Sequence, residues 1–416
     1  MLSLPIDDAP VASILRRYGT SRRDANRSDA EADSVIAAAK LRSCRSSPMR
    51  TPATRFQEQG LACVQYADGM AGSASGWPFR RKLDNHREEV TMNFRALLRI
   101  TAALGAAGYV ASAVAQQPIA IATPPSGSIY NSTAAAIGKV LGDKAGLRMT
   151  VQALGGSSQY LPIVNAGEVP FGIANVYETS LAVTGQEYFK GRPTKDVRTV
   201  AALFPLRNTI FVRKDSKFKK LADLKGARGP VGFTNQKILT AVTNAALAPG
   251  GITLDDVKGV NVANIIANTN AFKEGRTDFF VFAMGAAPIR EADAAVGGVR
   301  ALTVENTPAS VAAMRKHVPV AFLHYNKPSK GNVGLLEPGW IVSYGVNLMA
   351  STKTPADVVY KVVKAIHDNA ADIGKVFPPL RMLDPKAMAQ EINGVQYHEG
   401  AAKYYKEIGQ WPPKQL

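Results

Sequence analysis

The chain has only two cysteines among 416 residues, Cys44 and Cys63. Everything after residue 63 therefore lacks a disulfide framework, a thiolate zinc site and a cysteine nucleophile. Aromatic residues make up only 7% of the sequence, and histidines number five. Four of these, His317, His324, His367 and His398, are too scattered to suggest a metal cluster. No HExxH, paired CxxC or GxSxG pattern occurs, which removes the usual signatures of zinc hydrolases and serine esterases. No catalytic residue, metal site or cofactor is therefore expected.

Ala, Gly and Val are abundant, and 46% of the residues are hydrophobic. A chain this long with this composition can bury the cores of two or three domains. The formal net charge is +17. Residues 1–91 carry 14 basic and 11 acidic side chains, and Arg95 and Arg99 add two more cations, so 116–416 retain 34 basic and 22 acidic groups, a net +12. The densest stretch is Arg213–Lys225, with Lys214, Lys217, Lys219 and Lys220. No recognition motif or aromatic interleaving accompanies this charge, so nucleic-acid binding is not expected.

Residues 92–115 read as a secretion signal. Arg95 and Arg99 form the positive region, Ile100–Val110 the apolar region, and Ala113-Val114-Ala115 a small-x-small cleavage site, placing the mature start near Gln116. The apolar run is too short for a good membrane span. Residues 1–91 show no sustained period of 2 or 3.6, and translation is expected to start at Met92. Glu88-Glu89-Val90-Thr91-Met92 can encode a purine-rich ribosome-binding site just before that codon.

Beyond Gln116 short apolar runs alternate with helical patterns. Strands are expected at Pro118–Thr123, Met149–Ala153, Val169–Ala174, Val197–Phe204, Thr209–Arg213, Pro230–Phe233, Val257–Val262, Asp278–Ala283 and about Ile341–Met349. Helices are expected at Ile129–Leu141, near Ser158–Val164, at Gln236–Leu247 capped by Thr234-Asn235, at Ile265–Lys273, Pro355–Phe377, Pro385–Asn393 and about Glu399–Ile408. Such alternation implies an α/β protein with mainly parallel sheets and helices on both faces. Three strand–tight loop–helix junctions recur, at Ser126–Tyr130, Gly155–Gln159 and Phe233–Gln236. Each places backbone N–H groups and a polar side chain at a helix start, an arrangement suited to anions.

These junctions belong to an ordered set of motifs. The first loop is Thr123-Pro124-Pro125-Ser126-Gly127-Ser128-Ile129-Tyr130-Asn131 and the second Leu154-Gly155-Gly156-Ser157-Ser158-Gln159-Tyr160-Leu161. Gly167–Ile173, Asp223-Leu224-Lys225-Gly226, Glu274–Phe280 and His398–Tyr405 follow in order. Together they resemble the TAXI subfamily of TRAP-transporter solute-binding proteins over nearly all of 118–409. The resemblance implies a two-lobed, type II periplasmic-binding fold with the ligand in the cleft. One lobe would be 116–208 plus 302–416, the other 209–301. It implies a periplasmic protein, a monomer, that captures a small anionic organic solute (a dicarboxylate, a glutamate-like or another organic acid) and passes it to TRAP-type membrane permease subunits. A ligand-sensing module or a secreted enzyme on the same fold are the alternatives. The chain departs from the motifs at Pro124-Pro125, where Gly-Ser is usual, which removes two backbone donors. It departs also at Ile129, Leu206 and Glu399.

The expected ligand contacts are Ser126, Gly127, Ser128 and Tyr130 from the first loop, and Ser157, Ser158 and Gln159 from the second. Asn175 would follow the third strand. Asn235 and Gln236 would close from the other lobe, with Met284 and Gly285 beneath. Arg207 reads as a surface or hinge ion pair, or as a carboxylate clamp.

Overall fold

The computed structural model describes residues 118–415. The expected extension 1–91, the expected leader 92–115 and the expected start at Gln116 lie outside them. The apolar runs of the first lobe form β1 (Ile119–Thr123), β2 (Met149–Ala153) and β3 (Phe171–Asn175). β1 pairs in parallel with both of the others. Helices α1 (Ile129–Ala145), α2 (Ser157–Ala166) and α3 (Val176–Thr184) separate and follow these strands. Every residue of β3 is buried, as a central strand covered on both faces must be.

The chain leaves this lobe through β4 (Val197–Arg213) and returns through β10 (Gly339–Ser351). The main sheet runs β2-β1-β3-β10-β4. β10 is antiparallel to β3 and β4, since one strand carries the chain out and the other brings it back. The outer half of β4, Asn208–Arg213, pairs instead with β7 (Phe279–Ala283) and β8 (Val299–Leu302). The first half of β10 pairs with β9 (Phe322–Asn326). Between them lie β5 (Arg228–Gly232) and β6 (Lys258–Val262), a parallel pair, with helices α4 (Ile238–Leu247), α5 (Ile265–Lys273), α6 (Ala287–Val296) and α7 (Pro308–Arg315). The second lobe's core is aromatic: Phe211 stacks on Phe280 with ring centroids 5.1 Å apart, and Phe272 meets Phe280 at 4.6 Å. The C-terminal helices α8 (Ala356–Asp368), α9 (Ala370–Val376) and α10 (Glu399–Glu407) complete the first lobe. The result is the α/β, two-lobed type II periplasmic-binding architecture. Among the described residues no helix is long and apolar enough to cross a membrane.

Several local expectations change. Val197–Phe204 and Thr209–Arg213 are one 17-residue strand, because Pro205 sits where β4 passes between lobes and the ladder to Gly345 continues past it. The long helix expected at Pro355–Phe377 breaks at Asn369, whose Nδ2 bonds back to Ala365 O at 2.8 Å. Such a local side-chain bond competes with helix continuation. Of Pro385–Asn393 only the turn Pro385–Ala387 is helical. Its later backbone pairs with the tail instead, Glu391 N donating to Lys414 O at 2.8 Å. The helix after Asn235 begins at Ile238 without a side-chain cap, so Thr234-Asn235 do not cap it.

The lobe boundary also moves. Residues 302–338, expected in the first lobe, pack with the second: α7 lies against α4, and β9 pairs with the near half of β10. The chain recrosses only around Ser343–Tyr344, where β10 exchanges β9 for β4 as its partner.

Helices α8 and α10 meet at Gly400, where an added Cβ would lie 2.1 Å from Ala356 O and 3.0 Å from Tyr360 N. These are backbone atoms, which cannot swing aside. Gly400→Ala is expected to lower stability by roughly 1–3 kcal/mol through overpacking, read as a lower urea midpoint with an unchanged slope.

Candidate functional site

An open α/β sheet binds ligands beyond the carboxyl ends of its strands. Here the ends of β1, β3, β5 and β7 converge on one cavity between the lobes, with β4 and β10 crossing beside it. Pro124, Ser128 and Tyr130 line it from the first loop, Asn175 from the end of β3, and Leu206, Asn208 and Tyr344 from the crossing strands. Gln236, Ile238, Leu239, Val242, Ile265, Phe282 and Ala283 line it from the second lobe. Its volume is about 30 Å³, room for one or two water molecules. A space this small admits a larger molecule only when the lobes part.

No lining side chain carries a charge; the polar ones are hydroxyls, phenols and amides. Several are oriented by helix caps. Ser128 Oγ accepts from Asn131 N at 3.2 Å, and Asn175 Oδ1 accepts from Glu178 N at 2.7 Å. Gln236 Oε1 accepts from Ile265 N at 3.3 Å, at the start of α5. With these oxygens engaged, the Nδ2 of Asn175 and the Nε2 of Gln236 remain as donors. Asn208 is arranged oppositely: its Nδ2 donates to Val242 O at 3.1 Å, leaving its oxygen as an acceptor.

Of the twelve expected contacts, Ser128, Tyr130, Asn175 and Gln236 line the cavity. Ser126 is exposed and Gly127 approaches Ile266 and Pro288 of the other lobe. Ser158 clasps the lobes together, its hydroxyl donating to Asn235 O at 3.2 Å and accepting from Lys237 N at 3.1 Å. Asn235 takes part through its backbone, and Gln159 is exposed. Ser157 is fully buried beside Glu178. Met284 is buried, its N–H on Arg207 O, and Gly285 borders a different pocket. Arg207 forms no ion pair among the described residues; its guanidinium donates to Asn326 and Asn332. Sequence reading missed Asn208 and Tyr344, although a polar residue ahead of the apolar run Thr209–Val212 was a usable signal for Asn208.

Glycine at 156 lets the second loop reach the other lobe. A Cβ there would fall 2.1 Å from Asn235 O and 2.7 Å from Gln236 Cβ. Its φ of 170° is ordinary extended backbone, so only the approach demands glycine. Phe233, fully buried just ahead, holds a φ of 37°, a strained conformation of the kind that collects at functional loops.

Behind the first-lobe loops lies a buried carboxyl. Glu178 is completely inaccessible; its Oε1 accepts from the Tyr188 phenol at 2.8 Å. Glu178 Oε2 and Ser157 Oγ are both buried without a well-formed hydrogen bond. Burial pushes the Glu178 pKa up to about 7, opposed by the nearby Ser157 hydroxyl and the Tyr188 phenol. Burial also raises the phenols of Tyr130, Tyr160 and Tyr344, with Glu178 adding to each.

Two predictions follow from this geometry. Gly156→Ala should fold normally yet stay open, giving a larger radius of gyration in solution scattering and no ligand-induced closure. A carboxyl with a raised folded pKa supports the fold below its unfolded value and loses that contribution as pH rises towards the folded one. Glu178 should therefore cost up to about 3 kcal/mol above pH 7. Glu178→Gln should gain stability over the parent as pH rises from about 5 to 7.5; a gap in urea midpoints that is flat across this range would contradict it.

Comparison with known proteins adds the lineage. The structure titled as a periplasmic transporter aligns over 71% of this chain and 94% of its own, with 16% identity and a TM-score of 0.47. MatC from Rhodopseudomonas palustris with bound malate aligns over 71% and 97%, with 16% identity and a TM-score of 0.45. The aliphatic sulphonate binding protein SsuA from Escherichia coli aligns over 73% and 94%, with 16% identity and a TM-score of 0.38. The sequence model of the NMT1-like family matches residues 121–409, more than two thirds of the chain, and the protein belongs to that family.

Proposed function

We propose that this chain is a periplasmic solute-binding protein that captures a small organic acid between its lobes and delivers it to a TRAP-type membrane permease. The observation that carries the reading is the cavity at the carboxyl ends of four strands, beside the two strands that connect the lobes. Two connections permit a hinge, and a hinge permits capture and release. The ordered loop motifs support the TAXI subfamily and hence the TRAP permease as partner. The donors offered by Asn175, Gln236 and the Tyr130 phenol suit carboxylate oxygens, while Ile129, Leu239, Val242 and Phe282 suit an apolar portion. With no cation in the lining, neutral donors would hold the acid, as helix-start amides do elsewhere. Pro124, in place of a backbone donor, favours a less polar acid.

A thermal-shift panel of dicarboxylates, amino acids, 2-oxo acids and aromatic acids tests the reading. A ligand at a hundredfold excess over its Kd should stabilise the protein by about 2.7 kcal/mol. Asn175→Ala and Gln236→Ala should each weaken that ligand by roughly tenfold. Turnover of the bound acid, or no stabilisation by any member, would overturn the proposal.

A further inference from the structure

Side chains alternate across a strand, and β4 uses this at the point where it passes between lobes. Leu206 and Asn208 face the cavity. Arg207, between them, faces a second and larger pocket of about 630 Å³ on the opposite side of the connecting strands. The second lobe lines this pocket with Gly285 and Arg290 and with the loop Ser329–Asn332; the first lobe lines it with the segment Val376–Met382.

Four cations border it, Arg207, Arg290, Lys330 and Arg381, and none of its lining residues is acidic. Among the described residues none of the four has a carboxylate within ion-pair distance. Arg207 is half-buried and fixed in place. Its Nη1 donates to Asn326 Oδ1 at 2.8 Å and to Asn332 Oδ1 at 3.1 Å. Those amides are anchored in turn on His324 O and Lys327 O. Its Nη2 lies beside Gly285, 3.6 Å from where a Cβ there would stand, an ordinary contact distance. A preorganised guanidinium among further cations is what a polyvalent oxyanion binds best.

We propose that this pocket behind the hinge binds a small polyvalent oxyanion, and that the anion props the front cleft closed. The lobes turn about β4 and β10, so opening the front brings the rear walls together. Space behind the hinge and closure in front therefore accompany each other. An anion that fits the wide rear pocket binds the closed form better and shifts the equilibrium towards it.

Calorimetric titration of the full chain with citrate and inorganic phosphate, at fixed ionic strength with chloride as the monovalent control, tests both parts. One saturable site is expected for citrate and phosphate and none for chloride. The exposed pair Arg290→Gln and Arg381→Gln, combined, should weaken citrate by roughly tenfold or more, while Gln236→Ala in the front cavity leaves it unchanged. Gly156→Ala, which keeps the front open, should also weaken citrate several-fold although it lies on the other side of the hinge. Absence of saturable binding, full affinity in the double variant, or loss in Gln236→Ala would overturn the site. Undiminished affinity in Gly156→Ala would overturn the coupling.

Discussion

Everything in this molecule is referred to the ladder between β4 and β10. Tyr344 opposite Leu206 and Gly345 opposite Pro205 mark the place where each strand changes lobe. Neighbouring residues of these strands serve opposite clefts, Leu206, Asn208 and Tyr344 one and Arg207 the other. The ladder's hydrogen bonds are short-range and directional. They permit rotation of whole lobes more readily than slippage of register, which would turn each inward side chain outward.

The two clefts differ in electrostatic character. The front is neutral and largely apolar, and its amides on Asn175, Gln236 and Asn208 are fixed by a cap and backbone contacts. The rear is cationic and more open. A neutral cavity responds little to ionic strength, whereas exposed charges are screened over roughly 8–10 Å at physiological salt. Four of the described cations, Arg207, Arg290, Lys330 and Arg381, thus gather on the side away from the front cavity.

Much of the fold was legible in the sequence because its signals are local. Glycine-punctuated loops after short strands gave β1, β2 and the starts of α1 and α2 to within a residue, while α1 runs four residues past the expected end; Ser128 and Tyr130 came from the first of these loops, Asn175 from the end of β3 and Gln236 from the loop after β5. What escaped was set by distant partners. Pro205 looked like a break until Gly345 stood opposite it. Ser157 and Ser158 read alike, yet one faces a buried carboxyl and the other clasps the opposite lobe. Met284 and Gly285 follow a strand end as a ligand loop would, but Met284 is turned into the core, where its N–H meets Arg207 O. Residues 302–338 carry no mark of lobe membership, which only packing against α4 and β10 supplies.

Gly156 has an implication for how this protein can fail. Its backbone is one that any L-residue adopts, so a side chain there offends nothing within its own lobe and is felt only when the lobes meet. Cellular triage by chaperones and proteases responds to unfolded population, not to an arrested hinge. A lesion at this position would pass that surveillance and accumulate at normal abundance as a well-folded protein whose lobes cannot meet.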